Sequence, residues 1–218
     1  MTKKEKITEI EKIFSQVYAD AKCSLDFETP HQLLVAVQLS AQCTDARVNL
    51  VTPALFGRYP TVYDFASADE EELSELIRSC GFYKTKAKNI IASSKRICEE
   101  FSGNVPSTMD DLLSLAGVGR KTANLILGDV YDIPGLVIDT HAIRLTNRIG
   151  LVDEKDPVKI EFALKKIVPE RFQTMFCHQL VYHGRAICKA QKPACGECPI
   201  SHLCKYGKKQ LKTLAESK

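Results

Sequence analysis

Apolar residues recur at helical spacing through almost the whole chain: Ile7, Ile10, Phe14, Val17 and Tyr18 in the first segment, then Leu33, Leu34, Val37 and Ala41, later Ile90, Ile91, Ile97, Cys98 and Phe101. Intervals of three and four put these side chains on one stripe of a helix, so the pattern predicts an all-α protein. Start signals agree. Ser67 or Asp69 stands ready to cap the Glu-rich segment at Glu70, and Asp156-Pro157 offers a cap followed by proline in the first turn, where its missing N–H has no helical partner to lose. The one strand-like run, Leu136-Val137-Ile138, is too short and isolated for a sheet and reads as a connector following Pro134-Gly135, where a domain boundary is expected.

The polar positions are segregated by sign. Residues 69–75 are acidic, whereas Arg78, Lys84, Lys86, Lys88, Lys95 and Arg96 follow between Glu75 and Glu99 with no acid among them. Such a run is a candidate phosphate-facing stretch, and equally a solvated helix face. A net charge of +3 over 218 residues is too small to identify a polyanionic partner, so local clustering must carry that argument. Apolar residues at 44% and charged residues at 26% exclude general disorder. No run nears the roughly 18 apolar residues of a membrane helix, and Met1-Thr-Lys-Lys-Glu-Lys does not open a signal peptide. A soluble, cytoplasmic chain without membrane contact is expected.

Between Leu112 and Leu127 two short apolar helical runs are joined by Gly117-Val118-Gly119. Glycine permits positive φ and close backbone approach, Val118 would pin the turn to the core, and the unpaired N–H groups opening the second helix can bind a phosphate. Arg120 and Lys121 add charge there. The same glycines would also serve a plain αα-hairpin. The helix dipole disfavours a cation at Lys121, and such a cost has a use if the amine is a nucleophile; a lysine touching phosphate is the alternative. Eighteen residues on, Asp139-Thr140-His141 opens another helix, where an Asp most often serves as an N-cap.

Nine cysteines are unusual for a chain of this kind, and four of them, Cys188, Cys195, Cys198 and Cys204, fall within seventeen residues as C-x6-C-x2-C-x5-C. Metal binding fits an intracellular chain better than a disulfide framework. Four-cysteine zinc sites usually use two C-x2-C knuckles and only one is present, so a 4Fe-4S cluster is the better chemical match, with zinc left open. Cys23, Cys43, Cys80, Cys98 and Cys177 read as small buried hydrophobes.

Taken in order, the Gly-Val-Gly-Arg-Lys hairpin, the Val-Ile-Asp-Thr-His segment and the four-cysteine loop resemble the endonuclease III family over nearly the whole chain. Leu39-Ser-Ala-Gln-Cys-Thr-Asp45 and Gly81-Phe-Tyr-Lys-Thr-Lys-Ala-Lys-Asn89 are similar to that family's DNA-contacting loops. The resemblance implies a monomeric, bifunctional DNA N-glycosylase and AP lyase, excising oxidised pyrimidines and cleaving abasic sites in duplex DNA in a prokaryotic-type cytoplasm, near the nucleoid. It implies two helical domains: a six-helix domain over 23–134 with a helix-hairpin-helix at about 112–127, and a 4Fe-4S domain made of 1–22 plus 135–218. Lys121 becomes the nucleophile and Asp139 the catalytic carboxylate. Gln42 fills the space left by the extruded nucleotide, Phe82 wedges the duplex, and Asp45 lies near the lesion. Lys84, Lys86, Lys88, His141 and the 117–120 turn contact DNA, and the four clustered cysteines hold the cluster. Two positions depart from the family's pattern: Phe82 where leucine is usual, and Ala116 where proline is usual, which loosens the turn. A monofunctional mismatch glycosylase, which lacks the lysine, and a non-enzymatic DNA-binding or redox-sensing module are the competing readings.

Overall fold

A computed structural model describes residues 1–216, and all regular structure among them is helical. The chain forms two compact units, Cys23–Ile133 and the combination of Met1–Lys22 with the chain from Pro134 onward. In the second of these, α1 (Lys3–Val17) starts with a Thr2/Glu5 capping box and buries Ile7, Ile10 and Phe14. Each such side chain contributes roughly 1.5–3 kcal/mol by leaving water. Val17, assigned to the stripe by spacing, is 48% exposed, because the helix ends there with Tyr18 as its cap.

Unit Cys23–Ile133 contains α2 (Pro30–Ser40), α3 (Asp45–Arg58), α4 (Val62–Ala66), α5 (Glu70–Leu76), α6 (Tyr83–Glu100), α7 (Met109–Leu113) and α8 (Arg120–Tyr131). Side chains of Thr29, Thr44, Thr61, Asp69 and Thr108 accept a backbone N–H at the starts of α2, α3, α4, α5 and α7. Asp69, not Ser67, is therefore the cap of the acidic segment. Helix α2 is buried on every side from Leu33 to Leu39, so it is a central helix and not the one-faced helix its spacing suggested. Ala41 lies beyond its end, at the cap, and is exposed.

After the boundary, Leu136 and Ile138 enter the core as an irregular connector. The remaining helices are α9 (Thr140–Ile149), α10 (Pro157–Lys165), α11 (Gln173–Ala186) and α12 (Lys205–Glu216). Asp156 caps α10 ahead of Pro157. Segment 188–204 contains only turns, yet Ile200 and Leu203 anchor it in the same core as α1. No described helix is long and apolar enough to cross a membrane.

Candidate functional site

The turn from α7 to α8 is built from two differently used glycines. Gly117 has φ +74°, and a Cβ there would come within 3.0 Å of Asn89, so backbone conformation and space both call for glycine. Gly119 has φ −107°, and a Cβ would meet nothing within 4 Å. Positive φ is thus required at Gly117 alone, and the bareness of Gly119 serves approach from outside. Val118 is buried and pins the turn. Unlike α2 to α5, α8 starts on Gly119 with no side-chain cap, so its first amides and its positive dipole end face outward. Lys121, the second residue of α8, is exposed there, and Arg120 is half-buried beside it.

Two loops of the same unit carry strained residues. Gln42 (φ 55°) and Phe82 (φ 48°) are left-handed without being glycine, at a cost of about 1 kcal/mol each or more. Both are exposed, Phe82 by 66%. Together with Gly117, Gln38 and Asn89 they line one cavity of about 220 Å³, which unites two loops and the hairpin that the sequence scatters over 75 positions. Asp45 is half-buried in the first turn of α3. Lys84 and Lys88 are exposed on α6.

Lys86 is not part of that basic surface, contrary to the sequence expectation. It is 6% exposed, and its ammonium donates to Leu39 O (2.8 Å) and Cys80 O (2.9 Å), satisfying two inward-facing carbonyls. Burial lowers its pKa from the usual lysine value. Gln38 belongs to no motif and is missed by pattern reading, although a lone amide within the apolar run from Leu33 to Leu39 is its signal.

In the other unit, Asp139 caps α9 by accepting from Ala142 N at 2.7 Å through Oδ1, which leaves a carboxylate its second oxygen. His141 follows in the first turn, its Nδ1 3.1 Å from Arg144 Nη2, while Arg144 also donates to Gly184 O and Cys188 O. A Cβ on Gly184 would lie 2.4 Å from His141 Nδ1, so glycine in α11 sets the place of that ring.

The thiols of Cys188, Cys195, Cys198 and Cys204 are free and line one cavity, walled by apolar residues such as Leu145, Ile149 and Ile187. Burial first, and the negative charge of the other three thiols as well, push Cys198 up to about 11, so four thiolates need cationic compensation. Donors already point at sulfur, Gly207 N at 3.3 Å from Cys204 and Arg148 Nη1 at 3.4 Å from Cys188, and His183 Nε2 lies 3.5 Å from Cys198. Tyr18 OH lies 2.8 Å from His183 Nδ1. Among the described residues no group of three His, Cys, Asp or Glu side chains is placed to hold a single metal ion. A cuboidal cluster places each thiolate on its own iron, so four sulfurs around a shared cavity fit it. Of the remaining cysteines, Cys80 and Cys177 are buried, whereas Cys23, Cys43 and Cys98 are only partly so.

Comparison with known proteins matches two stretches of the chain to repair-protein families. Residues 35–170 match the model of the HhH-GPD superfamily of base excision DNA repair proteins, and residues 188–204 that of the iron-sulfur binding domain of endonuclease III. That second match begins and ends on Cys188 and Cys204. The endonuclease III of Synechocystis sp. is 52% identical over 204 residues, covering 93% of each chain. A solved non-covalent endonuclease III–DNA complex has a TM-score of 0.90 at 39% identity, covering 97% of this chain and 99% of that one. A trapped covalent endonuclease III–DNA intermediate with an estranged adenine also has a TM-score of 0.90, at 40% identity and the same coverage.

Proposed function

The chain belongs to the endonuclease III family of HhH-GPD base excision repair proteins, and from that premise we propose that it excises oxidised pyrimidines from duplex DNA with Lys121 as nucleophile and Asp139 as catalytic carboxylate. It is a bifunctional DNA glycosylase and AP lyase, its partner is DNA, and its cofactor is a 4Fe-4S cluster. The observation that carries the residue assignment is the exposed amine of Lys121 in the first turn of α8, directly after an uncapped, glycine-lined helix start.

In this scheme the α8 amides and Arg120 hold a backbone phosphate, and Lys84 and Lys88 hold others. Gln42 and Phe82 occupy the stack vacated by the extruded nucleotide; an aromatic ring in a fixed left-handed backbone is a stiff wedge. Asp45 and His141 contact the DNA near the lesion. Asp139 stabilises the positive charge that develops on the sugar as the base leaves. Lys121 Nζ bonds to C1′ while the C1′–N bond breaks, the base departing with the electron pair and taking up a proton. Ring opening gives a Schiff base, whose acidified C2′ proton is lost as the C3′–O bond breaks and expels the 3′ phosphate; water then frees the lysine. The cluster, which Cys188, Cys195, Cys198 and Cys204 would hold, supplies four iron–thiolate bonds that tie segment 188–204 together. We also take the protein to be a monomer working in the cytoplasm at the nucleoid, since one chain carries one complete set of these groups.

Single-turnover excision tests the substrate assignment on matched duplexes carrying an oxidised pyrimidine, an oxidised purine or an undamaged A·G mismatch. The pyrimidine should be removed at least about tenfold faster than either. Equal or faster removal of adenine from the mismatch would overturn it.

A further inference from the structure

We propose that Gln38 is a positioning residue for DNA binding: its buried amide straps the hairpin turn to α2 and α6 and so holds the phosphate-binding amides of α8 in place. The inference rests on the reading of that hairpin as a phosphate site.

Gln38 is 5% exposed, and its Nε2 donates to Ala116 O at 2.8 Å and to Ser93 Oγ at 3.4 Å. Ser93 Oγ itself donates to Ile90 O, so it must accept from Gln38, which fixes the amide with its nitrogen toward the turn. Both amide protons are thereby committed. The Oε1 atom is buried without a hydrogen-bond partner in the protein. An apolar residue, like its neighbours Val37 and Leu39, would avoid that cost, so the amide is held at a penalty where packing alone favours a hydrocarbon. What the penalty secures is the carbonyl just before Gly117.

That turn needs an outside restraint. Ala116 does not lock φ as a proline would, Gly117 is left-handed, and Gly119 meets nothing inside the protein. The strap also sets a register, because α2 ends two residues after Gln38 and runs straight into the Gln42 loop. One helix thus anchors both the loop assigned to the vacated stack and the turn assigned to phosphate, and Gln38, Gln42 and Gly117 line one cavity.

Gln38→Leu separates positioning from folding. Removing the buried orphan acceptor offsets the loss of the donor to Ala116 O, a part-buried carbonyl, so the melting temperature should change little. Affinity for DNA should nonetheless fall about tenfold whatever the lesion, with the slope of log K against log salt reduced by about one, while the rate at saturating DNA changes less than about threefold. Adding Ala116→Pro, which restrains the same turn covalently, should restore most of the affinity. Gly119→Val is the control for the underlying reading, since its side chain points into open space and blocks only an outside ligand. Loss of affinity in Gly119→Val but not in Gln38→Leu would overturn the strap alone. No loss in either would overturn the phosphate reading with it. Loss of affinity in Gln38→Leu that tracks a fall in melting temperature and is not rescued by Ala116→Pro would reduce Gln38 to core packing.

Discussion

Three lysines within five residues of α6 have two unrelated fates. Lys84 and Lys88 point to water, whereas Lys86 turns inward to Leu39 O and Cys80 O. Lys86→Met should therefore destabilise the fold by about 1–3 kcal/mol, through two buried carbonyls left unpaired, and leave the salt dependence of DNA binding unchanged. Replacing Lys84 and Lys88 with Gln should do the reverse, lowering the slope of log K against log salt by about two with no change in melting temperature. A flattened slope in Lys86→Met would contradict this division. Asp139 separates a cap from a charge in the same way. Asparagine caps as well as aspartate, so Asp139→Asn should keep α9 intact yet slow base excision by about a hundredfold or more. Cleavage at a pre-formed abasic site should fall less, because the carboxylate is needed most as the base departs. Equal losses in both steps would remove that role.

At the level of elements, α2 is where burial can be read as pH dependence. His31 is 8% exposed, its Nε2 is 2.9 Å from Ser94 Oγ, its ring packs edge-on against Phe65, and burial pulls its pKa down to about 4. An unfolded chain titrates this group near 6.5, so protonation favours unfolding. The contribution is full above about pH 6.5, declines through the window down to about 4, and totals on the order of 3 kcal/mol. His183 shifts in the same direction, so the informative quantity is wild type minus His31→Gln. That difference in unfolding free energy should shrink between pH 7 and pH 5; a constant difference would show that His31 does not titrate on unfolding. The 188–204 segment, made of turns, is held by Ile200 and Leu203 and by whatever binds its four thiols. Cys198→Ser should lower iron content and the broad visible absorbance together with soluble yield, and full iron occupancy would remove Cys198 from the ligand set. Helices, the caps at Asp69, Asp139 and Asp156, the hairpin and the cysteine loop were legible because each is a local pattern. Gln38, Lys86 and the all-round burial of α2 were not, because each depends on which carbonyl or helix lies opposite, and periodicity within one helix carries no record of its neighbours.

Across the whole molecule the chain leaves its first unit after Lys22, builds the second through Ile133, and returns, so that α1 shares a core with α9 to α11 and the cysteine loop. A net charge of +3 gives little long-range attraction, which puts DNA recognition on local groups: the uncapped start of α8, Arg120, Lys84 and Lys88. Everything in the catalytic account converges on one amine. Borohydride reduces a Schiff base to a stable secondary amine, so cluster-loaded protein incubated with an abasic or oxidised-pyrimidine duplex and borohydride should become covalently joined to the DNA, with the adduct mapping to Lys121. Lys121→Gln should bind the same duplex and give no adduct. Absence of an adduct with wild-type protein, or undiminished trapping by Lys121→Gln, would contradict the assignment of Lys121 as the nucleophile.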